Sequence, residues 1–142
     1  MPTGIKKTDI AWLAGIIEGE GSIMFHTEKR NVGYHIWRLT ITNTDVFIIN
    51  KCTRILNLLN VRHNIVTTKI RPGRNKPCHH IEVCSLSHIQ AVIEQIIPYM
   101  IGEKRGKALL MLMQKPKKRS DGKNTNATKY VEPTEKQTLL FH

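Results

Sequence analysis

Two stretches of the chain alternate between apolar and polar residues in the manner of hairpins with one dry and one wet face, and each leads into a capped amphipathic segment. In the first stretch Ile23 and Phe25 oppose Met24 and His26. After a turn at Asn31-Val32-Gly33, Trp37, Leu39 and Ile41 share one face, and Tyr34, Arg38 and Thr40 the other. A period of two is the spacing of a half-buried strand. The second stretch pairs residues 61–70 with 77–85 across Arg71-Pro72-Gly73-Arg74-Asn75. There Ile81 and Val83 oppose His80, Glu82 and Cys84, whereas the partner strand shows no cleanly apolar face. Helical spacing fills the intervals. Thr8 or Asp9 is expected to cap a helix carrying Ile10, Leu13, Ile16 and Ile17. Thr44 or Asp45 caps a second helix running to about Leu59, with Phe47 or Ile48, Cys52, Ile55, Leu56 and Leu59 inward. Ser87 caps a third that Pro98 breaks, and a fourth spans about 103–114. The order αββαββαα predicts an α+β fold in which helices cover one face of an antiparallel sheet and leave the other open.

Charge indicates what an open face is for. The 142 residues contain 22 Lys and Arg against 11 Asp and Glu, a formal net charge of +11. An excess of this size points to a polyanionic partner. With 40% apolar residues the chain can still build a core, which argues against a disordered basic tail throughout. Apolar runs such as Leu109–Met113 are far short of a bilayer span, so no membrane partner is expected. Between Asp45 and Glu82 there is no acidic residue, yet Lys51, Arg54, Arg62, Lys69, Arg71, Arg74 and Lys76 all fall there. Such a stretch on strand-like sequence reads as a phosphate-facing surface. A second basic block, Lys115, Lys117, Lys118, Arg119 and Lys123, lies among Pro, Ser, Gly and Asn and reads as a flexible tail. The chain therefore divides into a domain over 1–114 and a tail over 115–142 in which Thr134–Phe141 has the pattern of a short helix. Cys52, Cys78 and Cys84 are odd in number and lack CxxC spacing, so neither a disulfide framework nor a zinc site is expected, and the default compartment is an intracellular, reducing one, that of the encoding genome.

The first helix ends in an unusual way, with Gly19 and Gly21 bracketing Glu20. Gly15 and Gly19 are four apart and fall on one helical face, where small side chains let a second helix approach backbone to backbone. The segment Leu13-Ala14-Gly15-Ile16-Ile17-Glu18-Gly19-Glu20-Gly21 resembles the nine-residue signature of the LAGLIDADG homing endonucleases, with Glu at both acidic positions. Two further segments agree with that family. Thr42-Asn43-Thr44-Asp45 resembles its entry into the second helix, and Ile97-Pro98-Tyr99-Met100 with Lys104 and Ala108-Leu109-Leu110 its lysine-bearing late helix. The resemblance implies an αββαββα saddle whose sheet reads DNA in the major groove.

One signature in a chain of this length implies a homodimer with paired first helices, placing Trp12, Ala14, Gly15, Glu18 and Gly19 at the interface. Each helix end would deliver Glu20, with Gly19, to a site for Mg²⁺ (or Mn²⁺), because paired carboxylates beside scissile phosphates need a divalent cation. Glu18 reads as a helix-end cap or ion-pair residue rather than as a ligand. By the same resemblance Asn43 places the attacking water and Lys104 acts near the scissile phosphate, with Arg105 and Lys107 as neighbours able to substitute. Some dimeric members carry an Arg where this chain has Phe47, and Arg54 is the candidate to replace it. Base contacts are expected from Ser22, Met24, His26, Tyr34, Arg38 and Thr40 of the first hairpin. Arg62, Lys69, Arg71, Arg74, His80 and Glu82 of the second complete the surface. The implied activity is an intron-encoded, site-specific endonuclease that makes double-strand breaks with 3′ overhangs in a partly palindromic target. The alternatives are an intron RNA maturase on the same scaffold, or a DNA-binding protein that no longer cuts.

Overall fold

A computed structural model of the chain describes residues 4–27, 34–68, 73, 76–115 and 127–129. Along the sequence it forms α1 (Lys7–Glu20), β1 (Gly21–Thr27), β2 (Tyr34–Asn43), α2 (Val46–Leu58), β3 (Asn64–Thr68), β4 (Cys78–Val83), α3 (Leu86–Ile96), a 3₁₀ turn (Ile97–Tyr99), α4 (Lys104–Leu112) and β5 (Ala127–Lys129). The strands make one antiparallel sheet in the order β1-β2-β4-β3. The expected αββαββα arrangement is therefore the observed one.

Register explains why the alternating residues matter. Ile23, Leu39 and Val83 lie side by side across three strands, as do Gly21, Ile41 and Ile81. These rows carry the core face, and Ile23, Trp37, Leu39, Ile41, Ile81 and Val83 are each at most 1% exposed. The alternate row, Ser22, Thr40, Glu82 and Asn64, lies on the opposite face. Helices cover only the first: α1 packs on β1 and β2, α2 on β2 and β4, α3 on β2, and α4 on β1. Their contribution is aliphatic, with Ile10, Leu13 and Ile17 from α1, Ile55 and Leu56 from α2, and Ile89, Val92, Ile93 and Ile96 from α3.

Several local details differ from the sequence expectation. Helix α1 starts at Lys7 with no side-chain cap. Instead Lys6 O accepts from the backbone N–H groups of Asp9 and Ile10 at 3.0 and 3.2 Å, and Thr8 and Asp9 lie in its first turn. In α2 Ile48 packs partly against the core as expected and Ile49, 2% exposed, is the fully inward residue, while Phe47 is 81% exposed. Asp45 is the cap, accepting from Phe47 N–H at 2.9 Å. Beyond the last residue of the same helix, Leu58, and the cap Leu59, Asn60 takes φ 57° while Val61 N–H returns to Leu56 O at 2.9 Å, a left-handed stop that Asn tolerates. Strand β3 is shorter than 61–70, and both Ile65 and Val66 are about half exposed, at 49% and 46%. That explains the missing parity: the helices pack on β1, β2 and β4 rather than on β3, so β3 buries neither face. The N-cap of α3 is Ser85, without a side-chain cap bond, and its Oγ lies 3.1 Å from Ser87 Oγ. Strand β5 was not anticipated. It pairs with Tyr34–Ile36 on the edge of β2 that β4 leaves beyond Leu39.

Candidate active site and DNA-facing surface

The exposed Glu20 is the last residue of α1, and the chain turns directly into β1. Gly21 makes that turn possible. A Cβ there would sit 2.6 Å from Ile17 O and 2.8 Å from Ile17 Cα, backbone atoms with no freedom to give way. Gly21 N–H donates to Ile17 O, closing the helix. The last carbonyls of a helix lack intrahelical donors, and Lys104 supplies one for Glu18 O and a second for Ile17 O. Its Nζ donates to Glu18 O at 2.7 Å and to Ile17 O at 3.3 Å. A cation is favoured at that negative end of the helix dipole. Lys104, the first residue of α4, is thus brought to the end of the helix that carries Glu20. Glu18 Oε1 in turn accepts the backbone N–H groups of Ile101 at 2.8 Å and Gly102 at 2.7 Å. A cleft of about 220 Å³ lined by Glu18, Gly102, Glu103 and Lys104 opens beside these bonds.

Asn43 Oδ1 accepts from Asp45 N–H at 2.8 Å, so its side-chain carbonyl shapes the entry into α2. Arg54 does not stand in for the arginine that Phe47 replaces. Its guanidinium lies 3.5 Å from Asp9 Oδ1, in the first turn of α1, and Glu20 is eleven residues further along, roughly 16 Å at the helical rise. Lys51 joins the same seam, 3.9 Å from Asp9 Oδ1 and 4.5 Å above the Trp12 ring.

Among the expected interface residues, Ala14 is a correction. It is fully buried in the chain's own core, beside Leu13 and Ile17, and offers nothing to a second molecule. Glu18 is tied within its own chain as described. Gly15 and Gly19 are exposed, with open space where a Cβ would stand. By helical spacing they share a face with the half-buried Trp12 and Ile16, opposite the core face. Helix α1 therefore carries apolar or small residues on both sides.

On the open sheet face, Ser22 and Met24 are exposed, and Arg38, Thr40, His80 and Glu82 are partly exposed. Thr42 Oγ1 lies 2.9 Å from His80 Nδ1. Arg38 Nε is buried with no hydrogen-bond partner among the described residues. Arg62 is exposed beside β3, and its N–H donates to His88 Nδ1 at 2.9 Å. His26 pairs with Ile36 within the hairpin and Tyr34 with Lys129 of β5, while Lys69, Arg71 and Arg74 lie outside the described residues, as does Thr134–Phe141. All three cysteines are free. Among the described residues no three His, Cys, Asp or Glu side chains are grouped to hold a metal ion, and no helix is long and apolar enough to cross a membrane.

The bonds of Glu18 to Ile101 and Gly102, like the Asp9–Arg54 contact, were not foreseen from sequence. They join residues 45 to 84 positions apart, and no local pattern announces such a pairing.

A helix ending on a Gly-flanked carboxylate, packed with three others on one face of an antiparallel sheet whose other face is bare and polar, defines a recognisable class of fold. Residues 7–96 match the family described as the LAGLIDADG-like domain, and the chain belongs to that family. Among solved structures it is similar to the homing endonuclease I-CvuI in complex with its target, at 23% identity and a TM-score of 0.53, covering 75% of this chain and 64% of that one. It is also similar to I-SmaMI, in the K262A mutant, at 23% identity and a TM-score of 0.56 over 79% of this chain and 38% of the other. The group I intron-encoded homing endonuclease I-CeuI complexed with DNA matches at 15% identity and a TM-score of 0.53, over 76% and 53%. The chain thus spans less than two thirds of the length of these structures. No curated protein sequence matches it significantly.

Proposed function

We propose that the chain is a site-specific DNA endonuclease that works as a homodimer and requires a divalent cation. The observation that carries this reading is the placement of Glu20: exposed, last in its helix, and followed by a glycine that backbone contact makes obligatory. Family membership and the DNA complexes named in the structural neighbours support the substrate class.

The donor set suits a hard cation. A carboxylate and the Gly19 carbonyl at a helix C-terminus are oxygen ligands at the negative end of a dipole. One carboxylate per chain is too few for a closed site, which fits an ion that retains water and shares substrate phosphate oxygens. A helix that is apolar on both faces is normally covered on both, and a second copy laid on the Gly15–Gly19 face would bring two Glu20 carboxylates together. When bound, the cation would neutralise phosphate charge and acidify a water for attack on phosphorus. Glu20 and the Gly19 carbonyl would supply the protein's oxygen ligands to it. Lys104 lends positive charge at the same helix end, where negative charge develops on the phosphate. Asn43 anchors the start of α2, and the polar sheet face takes base edges in the major groove.

The test is cleavage of the intron-minus allele of the encoding locus, with Mg²⁺ and with EDTA in parallel. Metal-dependent cutting into two defined fragments is expected. Tight binding with no cutting would reject the endonuclease and move the assignment to a binding protein or to a partner of the intron RNA.

A further inference from the structure

We infer that Glu18 is a positioning residue for Glu20: it ties the last turn of α1 to the segment 101–104 and so fixes where the catalytic carboxylate points. The inference rests on the endonuclease reading above. Glu18 is held at both ends. Its side-chain Oε1 takes two backbone N–H bonds, from Ile101 at 2.8 Å and Gly102 at 2.7 Å, and its own carbonyl takes Lys104 Nζ at 2.7 Å. Lengths of 2.7 and 2.8 Å lie at the short end of the range for N–H···O hydrogen bonds.

The segment that makes the tie is itself anchored. Met100 before it is 3% exposed, and Ala108 and Met111 of α4 beyond it are fully buried. On the other side of Glu20, Gly21 is locked into register opposite Ile41 and bonded back to Ile17 O. Only Gly19 and Glu20 therefore lie between two fixed points, and the first of these points depends on Glu18. Gly102 belongs to the arrangement as well, since a Cβ there would meet Glu18 Oε1 at 3.3 Å.

Two N–H donors on Oε1 need an acceptor oxygen and not a charge. That separates positioning from metal ligation, because glutamine offers the same oxygen. The experiment compares wild type, Glu18→Gln, Glu18→Ala and Glu18→Asp in Mn²⁺-dependent cleavage. Mn²⁺ alone is also titrated into each ¹⁵N-labelled protein to follow broadening of the Gly19 and Gly21 amide signals. Glu18→Ala should lower kcat about 10²-fold, the scale of a misplaced catalytic group, with KM for DNA changed less than about threefold. Glu18→Gln should restore kcat to within about fivefold of wild type, as expected where only the acceptor is needed. Equal loss in both variants, or no loss in either, overturns the inference. Should Glu18→Ala not fold, Glu18→Asp decides: one methylene shorter, its carboxylate falls short of the two N–H groups, which should cost about tenfold in kcat, and an unchanged kcat overturns it. A wild type that binds Mn²⁺ without cutting rejects the endonuclease reading alone. The broadening then carries the test, with Glu18→Ala expected to bind Mn²⁺ more weakly than Glu18→Gln and equal binding counting against. A wild type that neither cuts nor shows broadening overturns both.

Discussion

Two glycines two residues apart at the end of α1 have opposite reasons to be glycine. At Gly21 the nearest atoms to an added Cβ are backbone atoms of Ile17, at 2.6 and 2.8 Å. At Gly19 nothing lies within 4 Å. Gly21→Ala should therefore destabilise the fold by about 1–3 kcal/mol, the cost of overpacking. Gly19→Ala should leave it equal or up to about 1 kcal/mol more stable, because alanine favours helix. Urea unfolding at a concentration where both variants are monomeric checks the pair, and similar midpoints would contradict the local geometry. The same Gly19→Ala chain should sediment as monomer where wild type is dimeric, since its methyl stands on the face proposed for helix contact. Cysteine chemistry gives a second residue-level expectation. Burial pushes the Cys52 thiol up to about 11 from 9.0. A thiol whose folded value exceeds its unfolded one stabilises below the unfolded value and loses that contribution as pH rises. Stability should thus fall through the window from pH 9 to about 11, and Cys52→Ala, whatever its cost in packing, should flatten that part of the curve. A pH–stability profile that keeps its slope in the variant would place the titration elsewhere.

The helices differ in how their starts are secured, and the difference is measurable. Asp45 accepts a bond from Phe47 N–H, whereas Ser85 makes no side-chain cap bond to α3. Replacing Asp45 by Ala should cost about 1 kcal/mol, the usual worth of a cap. Ser85→Ala should change stability by less than about 0.5 kcal/mol, as surface substitutions without such a bond do. Chemical denaturation decides, and equal losses would mean that α2 is not held by its cap. Elements are also the level at which the sequence was most readable. Trp37, Leu39 and Ile41 alternate because one face of β2 lies under helices and the other does not, and that physical asymmetry is what alternation records. It fails in β3, where Ile65 and Val66 are both exposed at an edge, and in β5, whose three residues owe their strand to a free stretch of β2 and not to a pattern of their own. At the start of α2 the periodicity could not choose between adjacent apolar residues, and Ile49 took the fully inward position. Glu20 was legible because its glycines are adjacent in sequence. The Glu18 tie was not, because its partners are 83 and 84 residues away.

At the scale of the whole molecule, the surface expected to bind DNA and the proposed cation site belong to different elements, and that separation makes them independently testable. The formal excess of +11 cannot be assigned to one catalytic group. The expected DNA contacts lie on the sheet face and the basic stretch of the second hairpin, while Glu20 stands at the end of α1. Binding should accordingly depend on salt and hardly at all on Glu20. If a dimer neutralises six or more phosphates, counterion release predicts a loss of roughly 10³-fold in affinity between 50 and 200 mM salt. Glu20→Gln removes a carboxylate from the proposed cation site without touching the sheet. Its affinity for target DNA should match wild type at each salt concentration, with the same slope, while its metal-dependent cleavage falls below a few per cent, on the order of 10²-fold or more. Mobility-shift titrations across salt, run beside cleavage time courses on the same preparations, measure both. A flat salt response would remove the basic face as the binding surface even if cutting were lost. Retained cleavage in Glu20→Gln would remove Glu20 from the cation site even if the slope were as expected.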